Sequence, residues 1–112
     1  MAIQHAQPGQ PVSIHPAAGT ISRAKTTTLI KTKSIEVIRL MMSAGKQLPR
    51  HKVPGEITLQ CLVGNVTLHV GDHVCDLSPG MLTFLPGGQE HSLTANADSA
   101  LLLTIILDPI SA

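Results

Sequence analysis

Two histidines, His51 and His91, stand in spaced frames of glycines and are the residues of this chain best placed to do chemistry. The first frame runs Gly45, five residues, His51, one residue, Val53, three residues, Ile57, six residues, Gly64. The second runs Gly80, five residues, Pro86, one residue, Gly88, two residues, His91, three residues, Ala95. A neutral imidazole is a ligand for iron, manganese, nickel, copper and zinc. It is also the side chain that titrates nearest neutrality, so the pair could move protons without a metal. Two imidazoles alone leave a transition-metal site incomplete, and a third ligand would have to come from Glu56, Gln60 or Cys61. Glu56 is one residue out of register and needs a bulge to reach inward, and Gln60 faces away unless the strand slips. Cys61 has the right parity, and its thiolate suits zinc. The structural alternative has His51 bonded to a backbone carbonyl and His91 ending a turn.

The elements that must position these residues read as strands. If His51 points inward, period two sends Val53, Gly55, Ile57, Leu59 and Cys61 inward as well, an almost wholly apolar row. The opposite row is polar: Lys52, Glu56, Thr58 and Gln60. His51, Val53, Ile57, Leu59, Cys61, His91 and Leu93 are therefore the expected lining of a small-molecule pocket, apolar with a few polar groups. Strand-like segments fall at 25–31, 34–42, 56–63, 66–70, 73–77, 81–85, 91–95 and 100–107, separated by Gly, Pro, Asn and Asp turn signals. Segment 34–42 is apolar on both parities and needs cover on both sides. No amphipathic helix is evident, and the turn spacing is that of an all-β sandwich or barrel. Residues 1–24, with three prolines and no sustained period, read as an irregular N-terminal arm, leaving 25–112 as one barrel domain.

Together the two frames resemble the two-part signature of the cupin superfamily, small β-barrels that often hold a metal between histidines. The resemblance implies a cupin-type jelly-roll barrel, also called a double-stranded β-helix. It covers residues 45–95 by motif and the flanking strands by character only. In the family pattern a second His stands where this chain has Val53, a Glu where it has Ile57, and an Asn where it has Ala95, although Asn96 is adjacent. No cofactor is assured on this pattern; a divalent transition metal held by His51 and His91 is the one the resemblance raises. The leading expectation is a small-molecule-binding barrel with an incomplete metal site. One alternative is a metal-dependent dioxygenase, isomerase or decarboxylase using His51 and His91. Another is a structural or regulatory dimer without pocket chemistry, since one fold hosts many activities. Small members of the family commonly form homodimers, and the basic segment 23–39 with the apolar segment 34–42 is the expected shared surface.

Composition narrows the partners. A chain of 112 residues has room for one core. Phe84 is its sole aromatic residue, so no platform exists for stacking single-stranded nucleic acid. All eight basic residues precede position 53, and six of the seven acids follow it. The charges are spread rather than blocked, which points to pairing within the chain or across a dimer rather than to nucleic acid. Lys46, Arg50 and Lys52 bracket His51 and favour a small anionic ligand such as a carboxylate. His5, His15, His69 and His73 read as surface residues, and Cys61 and Cys75 as small buried hydrophobes. The start of the chain lacks a secretory pattern and no apolar run is long enough to span a membrane. A soluble, cytoplasmic protein with reduced thiols is expected.

Overall fold

A computed structural model describes residues 5–17, 21 and 25–107. Nine strands account for most of the described chain: β1 (Thr27–Lys31), β2 (Ile35–Met42), β3 (Gln47–His51), β4 (Ile57–Val63), β5 (Val66–Val70), β6 (His73–Leu77), β7 (Leu82–Leu85), β8 (His91–Ala95) and β9 (Ser99–Ile106). They form a five-stranded sheet in the order β1-β2-β9-β4-β7 and a four-stranded sheet in the order β3-β8-β5-β6. All pairings are antiparallel. The chain repeatedly crosses from one sheet to the other, from β2 to β3, β3 to β4, β4 to β5, and β6 through β9, which is the winding of a jelly roll. No helix occurs among the described residues, so none is long and apolar enough to cross a membrane.

Period-two alternation builds the interior. On β4, Ile57, Leu59 and Cys61 are buried, whereas Thr58 is exposed. Register carries this row across the large sheet, Leu59 opposite Leu103 and Cys61 opposite Leu101, with Leu40 beyond. From the facing sheet Val66, Leu68, Leu77, Leu93 and Ala95 complete one core cluster. Aliphatic side chains fill this space without an aromatic ring, because Phe84 is 61% exposed on the outer side of the large sheet.

β3 is a strand that composition does not predict. Its middle residue is Pro49, which cannot donate to a ladder, and four of its five residues are exposed. It forms because it lies at the edge of the small sheet, where a proline is tolerated. β2 faces the interior with Leu40 and Met42, and its outward residues Ile35, Val37 and Met41 are partly buried. The part of the arm at 5–17 is irregular, but it is fastened: Ala6 N–H donates to the Leu29 carbonyl at 3.0 Å. The Arg39 guanidinium donates to the carbonyls of Ser13 and His15 at 3.3 and 3.4 Å. The remainder of the arm, with Arg23, and Asp108 near the other end lie outside the described residues. Among the described residues the one ion pair is Lys31–Glu36 at 3.5 Å, within the first half of the chain rather than between the halves.

Candidate functional site

His91 continues the inward row of β8 beyond Leu93 and Ala95, so the apolar interior ends in an imidazole. His51 reaches the same place by a different route. Leu48 pairs with Leu93 and His51 with His91, a step of three residues on β3 against two on β8. Strict alternation from Leu48 would turn Arg50 inward and His51 outward. The bulge between them reverses this, setting His51 beside His91 and releasing Arg50 to the outer side. The two rings are 4.3 Å apart between centroids and tilted by 54°.

Both imidazoles are oriented in the same way. His51 Nδ1 lies 2.9 Å from the Pro49 carbonyl and His91 Nδ1 3.0 Å from the Gln89 carbonyl, each two residues back. A carbonyl can only accept, so each Nδ1 carries the proton and each neutral ring leaves Nε2 as an acceptor without a partner among the described residues. His91 is 5% exposed, and burial is the main cause holding its pKa below the usual imidazole range. Its bond to the Gln89 carbonyl opposes that shift, and the neighbouring His51 adds to it. His91 is therefore a neutral acceptor near neutral pH.

Two loops frame this mouth. The Gly88 N–H donates to the Val53 carbonyl at 2.8 Å, tying the β7–β8 turn to the β3–β4 loop. Gly87 sits so closely against the Pro54 carbonyl that a side chain there would have no room. Beside this seam lies a hollow of about 260 Å³ lined by Lys52, Val53, Pro54 and Gly88. A second hollow of about 230 Å³ reaches His91 from the outer side.

The residues expected in one pocket thus fall into two groups. His51 and His91 pair at the mouth, and Val53 lines the loop hollow with Lys52, Pro54 and Gly88. Leu59, Cys61 and Leu93 are packed into the core cluster, and Ile57 is buried at 4% exposure. The candidate third ligands do not join the histidines. Glu56 lines a groove on the outer face of the large sheet with Thr58 and Phe84. Gln60 is registered with Leu82 and Leu102, next in the outward row. Cys61 is fully buried, its thiol directed to the Val63 carbonyl at 3.5 Å. Burial pushes the Cys61 thiol pKa up, against a smaller opposing effect of that bond, so it is no thiolate donor. Among the described residues no three His, Cys, Asp or Glu side chains come together as a metal cage. The protein donors at the mouth are two imidazoles, which do not by themselves fit a transition metal. The bulge that orients His51 was the feature hidden from sequence, because its only trace is Pro49 in an otherwise unremarkable stretch.

No curated protein sequence matches this chain. Its fold is similar to that of a conserved protein of unknown function from Streptococcus pyogenes, at 17% identity and TM-score 0.74, covering 95% of this chain and 94% of that one. A cupin superfamily protein from Desulfitobacterium hafniense is similar at 15% identity and TM-score 0.76, over 96% and 100% of the two chains. KdgF from a Halomonas species is similar at 16% identity and TM-score 0.68, over 72% and 77%. At such identities these likenesses concern the fold alone. Residues 38–107, more than half of the sequence, match the model of the family described as Cupin domain. This chain belongs to the cupin family.

Proposed function

We propose that the protein is a small-molecule-binding cupin whose ligand sits at the histidine mouth. The observation that carries this is the pair of Nε2 acceptors on His51 and His91, each ring fixed through Nδ1 to a backbone carbonyl and neither Nε2 partnered among the described residues. Neutral imidazole acceptors take a hydroxyl or other O–H donor, and Lys52, next to His51 in the chain, offers a cation for a carboxylate. A small hydroxylated acid combines both groups. The test is thermal stabilisation by a panel of small hydroxy acids, with elemental analysis of untagged protein. Stabilisation of metal-free protein that disappears in His51→Ala and His91→Ala variants is expected. Stoichiometric transition metal, lost in the same variants, would favour instead a metal-dependent enzyme in which water or substrate completes the coordination. Neither effect would leave a structural or regulatory barrel.

We also propose that the working form is a homodimer joined through the outer face of the large sheet. Partly buried Ile35, Val37 and Met41 on β2 share that face with Leu82 and Phe84 on β7, which are 63% and 61% exposed. Burying such a face against a second copy removes apolar surface from water. Sedimentation velocity should show a dimer that Phe84→Glu converts to monomer. A monomeric wild type would overturn this.

A further inference from the structure

We propose that the outer face of the small sheet carries a second site, backing onto the mouth at His91, for a small zwitterion bearing one carboxylate and one ammonium group. Two adjoining hollows of about 320 and 230 Å³ share a wall made by Arg50, His69, Gly71 and Ser92. The larger extends along the sheet to Gln47 and Thr94. The smaller runs to the rim, where Asp72 and Glu90 line it. One continuous depression therefore holds a guanidinium along its length and two carboxylates in its smaller part.

These charges do not satisfy one another. The one ion pair among the described residues is Lys31–Glu36, and no side-chain hydrogen bond engages Arg50, His69, Asp72 or Glu90. Opposite charges lining the same depression would be expected to close on each other if they could. Here they are carried by different elements. Arg50 is turned outward by the bulge on β3, His69 is carried by β5, Asp72 by the β5–β6 turn, and Glu90 by the residue before β8. A guanidinium presents a planar fork that matches a carboxylate, with the His69 imidazole alongside. Asp72 and Glu90, lining the same hollow, are the acceptors the ammonium group would take. Ser92, Thr94 and Gln47 supply neutral polar contacts between the β3 edge and β5. His91 lines the smaller hollow, so the two sites share one wall but present different groups. The inference does not rest on the reading of the mouth.

Amide shifts in a ¹⁵N–¹H spectrum, followed while β-alanine, acetate or methylammonium is added, test it. With β-alanine, saturable shifts are expected at Arg50, Gly71 and Ser92, at concentrations about tenfold below those needed for either half-molecule. Arg50→Gln and Asp72→Asn should each raise the β-alanine Kd about tenfold, the loss of one charge-assisted contact. Both positions are exposed, and the dispersion of the same spectra reports whether the variants are folded. Three results would overturn the proposal: acetate binding as tightly as β-alanine, no saturable shift at millimolar β-alanine, or shifts confined to Lys52 and Val53 at the mouth.

Discussion

The two ends of the barrel close in opposite ways. At the end away from the histidines, polar groups use one another up. The buried Ser99 hydroxyl accepts from the Asn65 N–H at 3.1 Å and lies 2.8 Å from the Ala97 carbonyl. Asn96 donates to Asn65 Oδ1 at 2.6 Å and to the Thr67 hydroxyl at 2.9 Å. That hydroxyl in turn donates to Asp76 at 2.8 Å. Asp98 accepts the Ala44 N–H at 2.8 Å. At the histidine end, the protein satisfies Nδ1 of each ring and stops there. A satisfied end contributes to stability, whereas an end with spare acceptors is available to a ligand. Stability and binding should therefore separate by position along one short barrel.

Substitutions that cross this division give graded outcomes. The largest loss should follow Gly64→Ala at the satisfied end. Gly64 has φ of +87°, and an added Cβ would meet the backbone and side chain of Asp98–Ser99. About 2–4 kcal/mol is expected, read from the midpoint of urea unfolding. Ser99→Ala should cost about 1–3 kcal/mol in the same assay, since it strands the part-buried Asn65 N–H. A pH series sharpens the contrast at the mouth. His91 titrates below its unfolded value because burial disfavours the charged ring, so its contribution is present above about pH 6.5 and is lost as pH falls through the folded pKa. Wild type should show this acid loss and His91→Leu should flatten it; identical profiles would remove His91 as its source. The smallest effect belongs to His51→Ala, whose exposed ring should change stability by no more than about 0.5 kcal/mol while abolishing binding at the mouth. A loss comparable to Ser99→Ala would erase the distinction between the two ends.

The fold was legible because its signals are local and redundant. Turn residues such as Gly64, Gly80 and Pro86–Gly88 mark where strands end, and the Ile57–Leu59–Cys61 row states its inward face by alternation. Those strands are also the ones whose pairing the hydrophobic pattern specifies most strongly. β3 was not legible: its register comes from β8 and a bulge, not from its own alternation. The site was half legible for the same reason. His91 sits in a row that can be read, and His51 sits beyond an irregularity that cannot. Residues such as Leu59 and Cys61 have the parity of a pocket, but parity gives the direction of a side chain and not whether its neighbours fill the space ahead of it.

The step of three residues against two between Leu48 and His51 also bears on how this surface can vary. Loss of one residue from that step would restore strict alternation, and everything up to the mouth would keep its place. His51 would still fall opposite His91, so a deletion there changes which of Pro49 and Arg50 remains on the outer side and leaves the pair at the mouth intact. A single-codon deletion would retune the outer groove alone, leaving the mouth and the core sequence untouched.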